Sequence, residues 1–453
     1  MCRASRFVTR FHCEQALIGG TSERDVDIIV NGGRITAIAS GVAPAPDAQR
    51  LYGFTIPGMA NAHSHAFHRA LRSRTQANRG TFWNWREVMY RAAERLSPDN
   101  YRRLARATFA EMAMAGITAV GEFHYVHHQL DGRPYDDPNA MSEALLGAAA
   151  DAGIRITLLD TLYLHGGLGP NGYVAPTGAQ RRYSDGSFDA WAERVDSLRP
   201  NEGQIVGAAV HSVRAVDPEA IAEVAAWGTE KGAPVHAHVS EQIAENEQCS
   251  GHHGCTPCEL LHSHGLLSPR FSAVHATHLS PTDIALLHET GAAVCMCPTT
   301  ERDLGDGVGP TREFADAGIP ITLGSDSHAV IDHFEESRAI ELDERLMSEE
   351  RGVHTAGDLL RMATMTGQQS IGWHDAGTLA VGHRADLVTV ALDSVRTAGA
   401  DPADPVATSV FAASASDVRS VVVDGRLIVE DHRHLDIDVA TELAASITDL
   451  MED

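Results

Sequence analysis

Eight short apolar runs, each closing on polar or ionisable residues, recur through the middle of the chain: TIPGMANAHSH, ITAVGEFHY, IRITLLDTLY, QIVGAAVHSV, PVHAHVSE, FSAVHATHL, AAVCMCPTT and PITLGSDSH. Stretches of helical character, such as YRRLARATFAEMAMAG and DPEAIAEVAAWGTEKG, separate them. Near-continuous apolar runs suit strands covered on both faces, and strands that alternate with helices pair in parallel. The rhythm therefore predicts an α/β fold built on a (β/α)8 barrel, here over residues 58–379. Such barrels carry their chemistry at the C-terminal strand ends, which is where His, Glu and Asp accumulate in this chain.

The flanks read differently. VDIIV and RITAIAS near the N-terminus are broken at Asn31, Gly32 and Gly33, and ADLVTVAL and RSVVVDGRLIVED near the C-terminus turn at Asp424 and Gly425. Both are hairpin signals. Residues 1–57 and 380–453 are predicted to pair in one small β-sandwich domain.

A formal charge of −25 excludes nucleic acid or an anionic membrane as the principal partner, because no basic stripe could dominate that field. An anionic substrate would need arginines placed locally. No run of 18 apolar residues and no leader-like segment appears, and the seven cysteines are odd in number and scattered. These features point to a cytoplasmic protein with reduced thiols.

His63 and His65 lie two apart, so on a strand they share a face about 7 Å apart at the backbone and can converge on one ion. PVHAHVSE, AVHATHL and GSDSH then deliver further histidines and an aspartate from three later strand ends. A few fixed ligands with an open position is what a catalytic metal site requires. Spacing does not choose between His236 and His238, which share a strand face.

The motifs HSH, HAHVSE, HATH and SDS resemble those of the cyclic-deaminase branch of the amidohydrolase superfamily, and the likeness runs over essentially the whole chain. The resemblance implies one Zn2+ per subunit held by His63, His65, His238 and Asp326, with iron, manganese or cobalt also compatible with such a donor set. It implies catalytic roles for Glu241, His275 and Asp326, and leaves His236 as a barrel-interior residue bonded to a neighbour.

The longer strings HSHAFHRAL, FWNWREVMYR, GEFHYVHHQLDGRPY, HSVRAV and LGSDSH are similar, within that branch, to those of formimidoylglutamate deiminases. The implied reaction adds water to the formimino carbon of N-formimino-L-glutamate and releases ammonia, leaving N-formyl-L-glutamate, a step of histidine degradation. Two substrate carboxylates need cationic partners, and the planar guanidinium fork suits them; Arg214 and Arg86 are the candidates. The likeness also turns Tyr125 and His211 toward the substrate and brings Arg86 from a neighbouring subunit, implying a homodimer. His68 departs from the pattern, replacing the Gln that follows HSHAF there.

Rival readings within the same residues are a deaminase or chlorohydrolase acting on a purine or triazine ring, and an inactive scaffold. A neutral ring needs few cationic anchors, and an inactive scaffold is expected to lose ligands, whereas all six metal and catalytic candidates are present. Cys249, Cys255 and Cys258 beside His252 and His253 mimic a second metal site without a further ligand pair. Cys295 and Cys297 read as small buried hydrophobes, and DHFEESRAIELDERLMSEE as an amphipathic helix outside the barrel with a solvated acidic face.

Overall fold

The computed structural model describes residues 8–76 and 82–452; residues 1–7 of the first predicted segment, Cys2 among them, lie outside it. Strands β1 (Thr9–Ile18), β2 (Thr21–Asn31), β3 (Arg34–Ala39) and β4 (Gln49–Pro57) precede β5 (Met59–Ser64), β6 (Ile117–His124) and β7 (Arg155–Leu162). A small hairpin, β8 (Gly167–Gly169) with β9 (Gly172–Val174), leads to β10 (Gln204–Val210), β11 (Val235–Val239), β12 (Phe271–His275), β13 (Ala293–Met296) and β14 (Ile321–Leu323). The last strands are β15 (Leu387–Val390), β16 (Val418–Val423), β17 (Arg426–Glu430) and β18 (Arg433–His434).

All eight predicted runs become barrel strands. They pair in parallel in the order β5, β6, β7, β10, β11, β12, β13, β14, and a parallel bridge from Ser64 to Asp326 joins the last strand end to the first. Every residue of β5, β6 and β7 is buried, as expected where helices cover the outside of the barrel and side chains fill its interior. The covering helices start where the sequence says they should. Helix α1 (Phe82–Arg95) is followed by α2 (Pro98–Met114), which opens on a Ser97 capping box with Pro98 in its first turn.

The two ends of the chain meet in a second, mostly antiparallel sheet of order β18-β17-β16-β15-β4-β1-β2-β3, with Leu387 to Val390 set against Pro57 to Phe54. The tail then leaves that sheet. Helix Val439–Met451 lies along α2, with Leu443 and Leu450 buried and Glu442 paired to Arg106.

The acidic stretch corrects its prediction in one respect. It is helical over His333–Ser348, but Glu336, Glu341 and Glu344 are buried, not solvated. Glu336 accepts from Thr299 N at 3.0 Å and Thr299 Oγ1 at 2.5 Å, and Glu341 accepts from Gly352 N and His354 N. These carboxylates satisfy backbone donors that have no strand or helix partner, in the first turn of the helix Pro298–Leu304 and in the loop at 352–354, a demand that a charge pattern does not display. Among the described residues no helix is long and apolar enough to cross a membrane.

Arg155 at the start of β7 forks onto Asp386 just before β15, joining the barrel to the second sheet. Both side chains are buried, and Asp386 also accepts from Thr118 Oγ1 and Asp424 N. Arg155→Met leaves that carboxylate buried without its counter-ion and should cost about 3–5 kcal/mol of unfolding free energy. A lowered urea midpoint, largely recovered on adding Asp386→Leu, is the expected result; an unmoved midpoint in the single variant would show that the fork does not hold the two sheets together.

Candidate active site

The C-terminal strand ends bring the predicted ligands together. The ligand atoms of His63, His238, His275 and Asp326 all lie within 4.8 Å of one another. His63 Nε2 and His65 Nε2 each stand 3.2 Å from Asp326 Oδ1, and His238 Nε2 stands 3.2 Å from His63 Nε2. All five side chains are buried.

The backbone pays locally for this convergence. Ser240, His275, Ala276, Asp326 and His328 have φ of 52°, 66°, 52°, 36° and 55°, a left-handed cluster of non-glycine residues confined to the ends of β11, β12 and β14. Gly324 supplies the close approach. A Cβ there would lie 2.7 Å from His63 Cβ and 2.8 Å from Cys297 Sγ, so only glycine lets Ser325 N and Asp326 N both donate to His63 O at 3.1 Å.

Ring orientation shows that the donor set suits a cation. His65 Nδ1 donates to Phe123 O at 2.8 Å and His238 Nδ1 donates to His211 O at 2.9 Å, which leaves both Nε2 atoms as lone pairs aimed into the cluster. Burial foremost lowers the His63 pKa to about 3 and holds His238 well below the ordinary imidazole value, so both rings are neutral. Neutral imidazole nitrogens converging on one carboxylate are the ligand chemistry of a divalent transition-metal ion.

Around this cluster stand further ionisable groups. His275 Nε2 is 4.0 Å from Glu241 Oε1 and 4.0 Å from Asp326 Oδ2, while its Nδ1 meets Glu301 Oε1 at 3.3 Å. Burial opposes a charge on His275, but Glu241, Glu301 and Asp326 outweigh it and raise its pKa well above the ordinary value. Geometry thus puts His275 within 4.8 Å of the ligand atoms of His63, His238 and Asp326 as well as beside Glu241, closer to the ligand cluster than a purely catalytic assignment requires.

The cavity in front of the cluster is lined by His68, Tyr125, His211, Arg214, Arg86 and Glu241, bringing all the sequence candidates for substrate contact to one place. His68 Nε2 meets Tyr125 Oη at 2.9 Å, so the two form one hydrogen-bonding unit at the position where the pattern has an amide. Arg86 lies on its own chain's cavity wall, with its Nε donating to Tyr90 Oη at 2.6 Å. Within the single chain this arginine already faces the site, where the resemblance implies the arginine of a neighbouring subunit. Helix α1 packs Met89 into its own barrel's core and carries Arg86 with it.

Several site residues escape sequence reasoning. Glu122 clamps the turn after β5 by accepting from Ser64 Oγ and Ala66 N, both at 2.6 Å; burial foremost raises its pKa to about 7. A lone Glu inside the apolar run ITAVGEFH was the available signal. Glu301 receives Cys297 N at 2.8 Å as well as His275, and Asp306 accepts from the Gln242 amide next to Glu241. Trp85, Arg86, Met89 and Tyr90 line the cavity at the spacing of one helix face, a periodicity visible in FWNWREVMY.

His236, by contrast, points away to Ser370 O at 3.2 Å. Cys249, Cys255 and Cys258 enter none of the candidate ligand groups found among the described residues. Burial foremost raises the Cys249 thiol to about 12. Cys295 and Cys297 are buried as expected.

These positions agree with the kinship of the chain. The amidohydrolase family profile matches residues 54–428. Formimidoylglutamate deiminase of Pseudomonas aeruginosa is 39% identical over 434 residues, covering 93% of this chain and 94% of that protein. The crystal structure of an amidohydrolase from Brucella melitensis superposes with a TM-score of 0.90 at 34% identity, over 98% of this chain and 100% of that one. An adenosine deaminase from Xanthomonas campestris, solved with bound zinc, shares the fold at a TM-score of 0.84 and 22% identity over 97% of each chain. A hydrolase acting on C–N bonds, built on a (β/α)8 barrel with a second sheet from its two ends, the chain belongs to the amidohydrolase family.

Proposed function

We propose that this enzyme hydrolyses the formimino group of N-formimino-L-glutamate to N-formyl-L-glutamate and ammonia in the cytoplasm. The observation that carries the reading is the polarity of the cavity, with a cation-binding and proton-handling cluster at one end and the guanidinium groups of Arg214 and Arg86 on its walls. Identity of 39% to a formimidoylglutamate deiminase supports the same substrate. A small anionic dicarboxylate is the partner such a cavity suits, despite the charge of −25 on the whole chain.

In this reading His63, His65, His238 and Asp326 hold one zinc ion, with the fixed Nδ1 donors of His65 and His238 setting ring orientation. The ion supplies Lewis-acid activation of water. Glu241 accepts a proton as water adds to the formimino carbon and passes it to the departing nitrogen, which leaves as ammonia when the tetrahedral adduct collapses. His275, held positive between Glu241 and Glu301, directs its Nε2–H at the oxygen that gains negative charge. Asp326 Oδ2, 4.0 Å from His275 Nε2, takes the second proton of the added water from the adduct's hydroxyl as it becomes the formyl oxygen, and that proton completes the departing ammonia. Arg214 and Arg86 fasten the carboxylates, and His68, Tyr125 and His211 complete the wall that orients the formimino group.

Alanine at His63, His65, His238 or Asp326 should lower bound metal and abolish turnover, since an open site has no spare ligand. Glu241→Gln should keep the metal and lose at least ~100-fold in kcat. Metal analysis alongside single-turnover rates checks both, and near-normal turnover in Glu241→Gln would remove it from the proton path. For the substrate, ammonia release from N-formimino-L-glutamate should far exceed that from purines and triazines. Arg214→Met should lose about 2–5 kcal/mol in kcat/KM for the dicarboxylate. Preference for a ring base, or unchanged kinetics in the arginine variant, would overturn the dicarboxylate assignment.

A further inference from the structure

Glu245 is a buried carboxylate that the chemistry above leaves without a task. It lies on the helix Ile243–His253, one turn beyond Glu241, and is 1% exposed. Neither of its oxygens has a hydrogen-bond partner among the described residues. Its cationic neighbour is Arg214, whose Nε stands 3.9 Å from Glu245 Oε1 and is itself buried without a partner.

A buried carboxylate lacking donors opposes folding, so its place beside Arg214, which does line the cavity, calls for a role. Arg214 supplies the reason. The guanidinium feels two carboxylates on the same chain segment: burial opposes its charge, and Glu245 first and Glu241 second hold its pKa up. A long, flexible arginine free to settle on Glu241 would neutralise the base that must accept a proton from water. Glu245 offers the competing carboxylate: burial foremost lifts its pKa to about 7, while the Arg214 charge beside it works to keep it ionised. Contact along the Nε edge also leaves the two terminal nitrogens, the other edge of the fork, for a planar carboxylate. The separation is that of an ion pair without a hydrogen bond, so the guanidinium keeps the freedom to turn onto a ligand.

We infer that Glu245 is a positioning residue for substrate selection, holding the Arg214 guanidinium away from Glu241 and presenting its terminal nitrogens to a substrate carboxylate. The inference rests on the reading that Arg214 binds that carboxylate. It makes the selectivity of the site a property of the pair.

The test is Glu245→Gln, which keeps size and shape and removes the charge, measured with N-formimino-L-glutamate and with an N-alkylformamidine of similar length that has no carboxylate. Metal content and thermal midpoint are followed in the same samples. KM for the dicarboxylate should rise about 10-fold with kcat within about 2-fold, the formamidine should be unaffected, and Glu245→Gln should add nothing in an Arg214→Met background. Glu245→Asp, which restores the charge, should recover part of the lost KM. Equal losses on both substrates, or effects that add in the double variant, would overturn the inference by showing that Glu245 acts on the fold or directly on Glu241. Should Arg214→Met alone leave KM unchanged, the carboxylate reading beneath it fails. If Arg214→Met raises KM while Glu245→Gln is silent, only the positioning role falls.

Discussion

Closure of the barrel at His63 is the contact on which the rest of this molecule depends. The His63 carbonyl accepts from both Ser325 N and Asp326 N, drawing the end of β14 onto the end of β5 through a gap that Gly324 alone can fit. The same contact completes the parallel sheet and sets the Asp326 carboxylate 3.2 Å from two imidazoles. Fold and site are therefore one geometric solution. A barrel that closed with a different stagger would separate the carboxylate from its histidines even with every residue retained.

Keeping that cluster ready has electrostatic consequences outward from it. Neutral histidines are sustained by burial, and their ring orientations by backbone carbonyls at Phe123 and His211. Around them, Glu241, Glu301 and Asp326 favour a positive His275, while burial and Glu241 raise the Asp306 pKa to about 8. The site thus concentrates carboxylates where a cation belongs and places guanidinium groups on the cavity wall. In a chain of charge −25, the guanidinium groups of that wall are local positive charge set against the field of the whole molecule.

Buried carboxylates recur as structural fasteners. Asp386 joins the barrel to the second sheet through Arg155, Glu122 clamps the turn that carries His65, Glu336 satisfies the first turn of the helix Pro298–Leu304, and Glu341 satisfies loop donors at Gly352 and His354. Each answers a backbone or guanidinium donor that would otherwise be orphaned in the interior. Glu245 differs from them in having no such donor, which is why its place beside Arg214 carries meaning.

The sequence by itself determined the barrel, because eight apolar runs between helices allow few other arrangements, and it determined the ligand types, because HSH, HAHVSE and SDS fall at strand ends. Periodicity also marked the two chain ends as strands. Tertiary structure alone decided what depends on distances between segments far apart in the chain. It sent His236 to Ser370 while His238 joined the cluster, and put Arg86 on its own cavity wall. It also buried the glutamates of a stretch whose charges looked solvated. The reason is physical: local patterns fix periodicity and backbone preference, whereas the partner of a buried charge or ring nitrogen is chosen by which distant donor the packed fold brings within about 3 Å.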